Sequence, residues 1–277
     1  MYEKFYGLRK SPFTLLPSPE FLFLSSTHRN AVALLDYGVR VHGGLTVITG
    51  EVGTGKTTLI RNLLRTLDTD RYVLGQVTNA QKSLDSLLHW VMSAFGLESV
   101  GDRDVEMHQS FRSFLMNNHA LGKRTILIID EAQNLSRTAL EEVRMMTNVN
   151  VDDAQMLQLI LVGQPELLDV LRSSDLRQFV QRISQSYNLS PLSFFETADY
   201  IRHRLAVAGE SAEIFDDMAC GGVHHFSKGV PRLINTLCDS ALVYGYADEI
   251  RHISLEIVCH VVRDKARSGV TPIEGVW

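Results

Sequence analysis

An α/β fold with a mainly parallel sheet, followed by an all-helical part, is predicted by three features of this 277-residue chain. Short apolar runs alternate with amphipathic helical stretches from Leu45 to about Pro191. A glycine-rich turn, Gly50-Glu51-Val52-Gly53-Thr54-Gly55-Lys56-Thr57-Thr58, separates the first apolar run from the first helical stretch. After Pro191 the strand-length runs stop and only helical patterns follow.

Five strands are expected. Residues 45–49 form the first, entering the glycine-rich turn, and a helix over 56–67 leaves it. Residues 72–77 form the second strand. Ser83 caps a helix to about 95, with Leu84, Leu87, Leu88 and Val91 on one face. A helix over 104–121 leads to the third strand, 126–129, whose four apolar residues suit the buried centre of a parallel sheet. Ser136 starts a further helix, and residues 157–162 and 186–189 complete the sheet. Beyond Pro191, Ser193 and Glu196 have the spacing of a capping box that opens a helix to about 208. Helices follow near 212–226, 231–246 and 254–266, with Pro231 at a first helical position and Ser254 as a cap. The expected boundaries are an α/β domain over 1–191 and a helical lid domain over 192–277.

The turn fits the spacing of a phosphate-binding loop, the mark of ATP- and GTP-hydrolysing proteins. Its glycines let successive backbone N–H groups, from Gly50, Glu51, Val52, Gly53, Thr54 and Gly55 into Thr57 and Thr58, face phosphate oxygens at a helix N-terminus. Lys56 supplies positive charge beside the β- and γ-phosphates, and the Thr57 hydroxyl is a ligand for Mg²⁺. Such a loop positions a nucleotide but hydrolyses nothing alone. Asp130 and Glu131, directly after the apolar strand 126–129, supply the missing carboxylates: Asp130 for Mg²⁺, Glu131 to orient the attacking water.

Composition narrows the setting. The net charge is −5, and 19 basic residues meet 20 acidic ones up to Pro191, 8 against 12 after it. Neither part is the basic body that bulk attraction to nucleic acid requires; the cluster Arg61, Arg65 and Arg71 reads as a solvated helix face. Three cysteines make no disulfide framework, which points to the cytoplasm. No run approaches the ~20 apolar residues of a membrane span, and the first residues lack the apolar core of a signal peptide. Cys220, His224 and His225 are too few for a structural zinc site. Cys259 lies in an apolar helix pattern, which points to packing rather than to a nucleophile.

The order Gly-Glu-Val-Gly-Thr-Gly-Lys-Thr-Thr, Ile-Leu-Ile-Ile-Asp-Glu-Ala-Gln-Asn-Leu, Leu-Val-Gly-Gln-Pro-Glu-Leu and Gly-Val-Pro-Arg-Leu-Ile-Asn resembles the AAA+ ATPases. More narrowly it resembles the ExeA/GspA-type group linked to the general secretion pathway. The opening Phe5-Tyr6-Gly7-Leu8-Arg9, Pro12-Phe13 and Phe21-Leu22-Phe23-Leu24-Ser25 belong to the same likeness, which runs over about 1–266. The resemblance implies a P-loop AAA+ core and an N-terminal nucleotide-clamp segment, 1–44, in which residues 21–30 close over adenine. It implies that Gln164 is a sensor of the γ-phosphate or the attacking water, and that Arg232 reaches the nucleotide from the lid. It also implies an arginine finger acting on a neighbouring subunit's ATP: Arg182, with Arg177 and then Arg172 as alternatives.

ATP and Mg²⁺ are the expected cofactors, and a homo-oligomer the expected state. Three roles stay open. One is an ATPase serving a secretion or envelope machine through a protein partner. The chain ends at Trp277 without a predicted span, which weakens direct coupling to the envelope. The second is an ATP-dependent, DNA-binding regulator of transposition, with a transposase as partner. The third is a slow nucleotide switch, against which the intact Glu131 argues.

Overall fold

A computed structural model describes residues 1–16, 18–41, 44–78, 87–97, 104–151, 154–209 and 213–268. Twelve helices are seen among them: α1 (Glu3–Tyr6), α2 (Ser26–Val41), α3 (Lys56–Thr66), α4 (Leu87–Ala94), α5 (Asp104–Ala120), α6 (Arg137–Met146), α7 (Glu166–Leu171), α8 (Arg177–Val180), α9 (Phe194–Ala208), α10 (Asp217–Ser227), α11 (Pro231–Ala247) and α12 (Leu255–Ser268). The strands are β1 (Gly44–Gly50), β2 (Tyr72–Val77), β3 (Arg124–Ile129), β4 (Asn150–Val151), β5 (Ala154–Gln155), β6 (Leu157–Gly163) and β7 (Ile183–Leu189). Contacts divide the chain into two compact units. Residues 27–52 and 59–189 make one; residues 1–26, 53–58 and 190–277 make the other.

The first unit is built on a five-stranded sheet in the order β2-β3-β6-β1-β7, with every pairing parallel. Side chains alternate across it with the two-residue period of a strand. Leu127 and Ile129 of β3 join Leu159 and Leu161 of β6 on one face, packed under α4, α5 and α6. Ile126, Ile128, Ile160 and Val162 point to the other face and meet Leu35 of α2 and Leu59, Ile60 and Leu63 of α3. Both faces are covered, so β1, β3 and β6 are apolar almost throughout. Arg124 donates to the carbonyls of Val39 (2.9 Å) and Arg40 (2.6 Å), satisfying acceptors that the last turn of α2 leaves open.

Two features of this unit differ from the sequence expectation. The last strand starts at Ile183, three residues before 186, because Ile183 already pairs with Leu45. Ser184 and Gln185 hide that start: they carry polar side chains at an edge that is covered on one side only. The small antiparallel pair β4–β5, which joins Asn150 to Gln155 and Val151 to Ala154, was not expected either, and it carries no apolar run. The cap expected at Ser83 lies outside the described residues.

The second unit has its own core. Ile201 and Leu205 of α9, Val223 of α10, Leu237, Cys238 and Leu242 of α11, and Val258 and Val261 of α12 are buried together. Tyr2, Tyr6, Leu8, Phe13 and Phe21 complete this core from the chain's opening residues. The capping box forms as expected: the Ser193 hydroxyl accepts from the Glu196 N–H, and the Glu196 carboxylate accepts from the Ser193 N–H. The helix expected from about 212 starts only at Asp217. Ile214 and Asp216 instead exchange backbone hydrogen bonds with Ile253, and the Asp216 side chain caps α10 by accepting from the Ala219 N–H.

Candidate active site

Within the sheet unit, parallel pairing places the carboxyl ends of β3, β6 and β1 side by side. Each of these ends leads directly into a residue whose chemistry suits a nucleotide site. Gly50 closes β1 and leads into Glu51 and Val52; Asp130 and Glu131 succeed β3; Gln164 succeeds β6. Because β6 lies between β3 and β1, residues far apart in the chain share one edge, where open α/β sheets bind ligands.

Asp130 is buried, and its backbone N–H donates to the carbonyl of Val77 (2.9 Å), extending the β2–β3 ladder by one bond. Its Oδ1 accepts from the N–H of Glu131 (2.9 Å). Glu131 then turns into the left-handed region, φ 55° and ψ 38°, a conformation that non-glycine residues seldom adopt and that clusters at functional sites. The turn directs its carboxylate toward β6, where Oε2 accepts from Gln133 Nε2 (2.6 Å) and Gln164 Nε2 (3.3 Å). Gln133 Oε1 accepts in turn from the backbone N–H of Gln164 (3.0 Å). The structure thus brings Glu131 and Gln164 together, and it adds Gln133, which lies inside the segment Ile-Leu-Ile-Ile-Asp-Glu-Ala-Gln-Asn-Leu but to which the sequence assigned no role.

In the helical unit, Lys56 opens α3 and Thr57 and Thr58 lie in its first turn. Lys56 and Thr54 are both buried. Gly53 has φ +85°, and a Cβ there would sit 2.6 Å from Cβ of Arg232 and 3.2 Å from Cγ1 of Val230. Glycine is required at 53 both for its backbone angle and for this approach. The N–H of Arg232 donates to the carbonyl of Gly53 (3.2 Å), so α11 is fastened at its first turn to the glycine-rich loop. The Arg232 side chain is exposed, and among the described residues its guanidinium has no hydrogen-bond or ion-pair partner.

The three arginines weighed as fingers differ in surroundings. Arg182, just before β7, is half-buried and its Nη1 reaches Thr147 Oγ1 at 3.5 Å. Arg177 opens α8 and is exposed. Arg172 is exposed and pairs with Asp169 at 3.5 Å.

A parallel five-stranded sheet with a phosphate-loop motif after its first strand, and acidic and amide residues at the neighbouring strand ends, defines a P-loop protein of the AAA+ type. A family model described as "AAA domain" matches residues 39–171. The chain belongs to the AAA+ proteins. It is 40% identical over 283 residues to "General secretion pathway protein A" of Aeromonas hydrophila, an alignment that covers 100% of this chain and 50% of that protein. The chain therefore spans about half the length of the curated relative it matches. Among solved structures, the ORC2 protein of Aeropyrum pernix aligns with a TM-score of 0.69 at 15% identity, over 95% of this chain and 73% of that one. The Holliday junction branch migration motor RuvB of Thermotoga maritima aligns with a TM-score of 0.56 at 18% identity, over 87% and 70%. At such identities these two likenesses establish the fold. Among the described residues, no helix is long and apolar enough to cross a membrane.

Proposed function

We propose that the chain is a Mg²⁺-dependent ATPase that serves a secretion or envelope system, working in the cytoplasm as a homo-oligomer. The observation that carries the catalytic part is the strand-end cluster, in which a left-handed Glu131 presents its carboxylate beside Gln164. The 40% identity to General secretion pathway protein A over the whole chain carries the cellular setting.

The division of labour rests on chemistry. Backbone N–H groups from Gly50 to Thr58, with Lys56, bind the phosphates. The Thr57 hydroxyl and the Asp130 carboxylate are hard oxygen donors of the kind Mg²⁺ prefers, and they would hold it. Bound there, Mg²⁺ would neutralise charge on the phosphates. Glu131 orients water and takes its proton, Gln164 senses the terminal phosphate, and Arg232 joins the nucleotide site from α11. Arg182 is the finger offered to a neighbouring subunit, where it neutralises charge on that subunit's transferring phosphoryl group. The lid domain, residues 192–277, carries nucleotide-dependent motion to a protein partner of the secretion system.

The transposition reading gains nothing from the fold, since the likeness to ORC2 and RuvB is one of architecture, and a net charge of −5 works against bulk DNA binding. Steady-state ATP hydrolysis against protein concentration, with and without double-stranded DNA at moderate salt, tests the proposal. Mg²⁺-dependent hydrolysis that is indifferent to DNA, with a rate per subunit that rises with concentration, is expected. Strong stimulation by DNA would move the protein to the DNA-regulator class, and binding without turnover would make it a nucleotide switch.

A further inference from the structure

We infer that Gln133 is a positioning residue for hydrolysis: its carboxamide bridges the Glu131 carboxylate to the backbone of Gln164 and so selects which carboxylate oxygen meets the attacking water. The inference rests on the reading of Glu131 as the water-orienting group.

Both amide donors fall on the same atom. Gln133 Nε2 at 2.6 Å and Gln164 Nε2 at 3.3 Å both reach Glu131 Oε2, while Oε1 accepts no hydrogen bond among the described residues. A carboxylate oxygen offers two lone pairs, so Oε2 is filled and Oε1 keeps its acceptor capacity for water. The bridge also has one sense only. Gln133 Oε1 accepts from the N–H of Gln164, and a flipped amide would set oxygen against carboxylate and NH₂ against N–H.

Space for the bridge is made by Gly163, where a Cβ would lie 2.9 Å from Gln133 Oε1 and 3.0 Å from Leu167 Cδ2. Gln133 itself sits in a short 3₁₀ turn, Ala132–Asn134, whose first backbone bond runs from the Asn134 N–H to the Glu131 carbonyl (2.9 Å). The same turn that puts Glu131 in the left-handed region therefore delivers Gln133 to it. Fixing a general base within a few tenths of an ångström is worth orders of magnitude in rate, since the reacting water must be in line. Through the Gln164 N–H, the position of the base is tied to the end of β6, the strand that also carries the proposed phosphate sensor.

Two substitutions separate the halves of the bridge. Gln133→Glu keeps an acceptor for the Gln164 N–H but removes the donor to Glu131; Gln133→Ala removes both. Expected in both variants is a fall in kcat of at least tenfold, with KM for ATP within about threefold of the unsubstituted protein. Hydrogen exchange of the Gln164 amide, followed by NMR on nucleotide-free protein, should quicken by tenfold or more in Gln133→Ala and stay slow in Gln133→Glu. An unchanged or raised kcat in Gln133→Glu overturns the positioning role, and unchanged Gln164 exchange in Gln133→Ala overturns the bridge. Glu131→Gln is measured alongside. Hydrolysis by Glu131→Gln at the unsubstituted rate removes the underlying assignment of Glu131, whereas a dead Glu131→Gln beside fully active Gln133 variants removes only the role given to Gln133.

Discussion

The roles proposed for Lys56 and Glu131 separate binding from cleavage, and single substitutions test the two. Lys56→Ala removes the loop's only side-chain cation, so ATP binding should fall by a hundredfold or more, in line with about 3 kcal/mol for a charge-assisted contact to phosphate. Glu131→Gln keeps the side chain's shape and loses the proton acceptor. Its ATP affinity should stay within about threefold of the unsubstituted protein while kcat drops by roughly 10²–10³. Fluorescent-nucleotide titration beside steady-state turnover reads both, and a Glu131→Gln protein that hydrolyses ATP normally would exclude the carboxylate from the chemistry. Lys56, Asp130 and Glu131 were legible as candidates, Lys56 from the spacing of the glycine-rich loop and the carboxylate pair from the apolar strand 126–129 before it. Gln133 was not, since its role comes from a turn that folds it back onto Glu131 and from a glycine 30 positions later that leaves it room.

Among the elements, α9 holds the chain's opening residues in place by buried polar contacts. Arg204, fully enclosed, donates through Nε to the carbonyl of Pro12, through Nη2 to that of Thr14 (3.3 Å) and through Nη1 to the Tyr200 hydroxyl (2.9 Å), with its guanidinium 4.6 Å from the Phe21 ring centre. Arg204→Met would leave buried carbonyls without donors, which costs about 2–4 kcal/mol. Urea unfolding should record that loss, and a change under about 0.5 kcal/mol would refute the account.

The start of the same helix predicts a pH dependence. Burial works to raise the pKa of Glu196, but hydrogen bonds from the N–H and hydroxyl of Ser26 and from Ser193 outweigh it and hold the carboxyl at about 2, against an ordinary 4.5. A depressed folded-state pKa stabilises the fold fully above about 4.5 and loses that contribution as pH falls toward 2. The Tm difference between the unsubstituted protein and Glu196→Gln should therefore be largest near neutrality and shrink between pH 4.5 and 2; a difference that is flat across this window would rule the linkage out.

For the whole molecule, the proposed homo-oligomer predicts that hydrolysis depends on neighbours. If Arg182 completes a neighbour's site, Arg182→Ala should bind ATP normally yet lose most turnover. Mixing it with Lys56→Ala should restore activity, because each protein keeps the half the other lacks. Mixtures as inactive as their parts would send the finger role to Arg177 or remove it. If the finger acts in trans, a single chain should hydrolyse ATP poorly, and the rate per subunit should rise with protein concentration.

The sequence by itself determined the layered α/β class, the five strands, the phosphate-loop motif, the carboxylate pair after the third strand and the capping box at Ser193. Each is local, set by a two- or 3.6-residue period or by spacing within one turn. Only the tertiary structure decided that Tyr2, Tyr6, Phe13 and Phe21 belong to the core of the helical unit, because aromatic residues in a short opening segment carry no periodicity that names their partner. It also decided the strand order, which sets β6 between β1 and β3 and so brings Gln164 to Glu131. Strand order depends on which apolar faces bury most area together, a sum over the whole sheet that no local window contains.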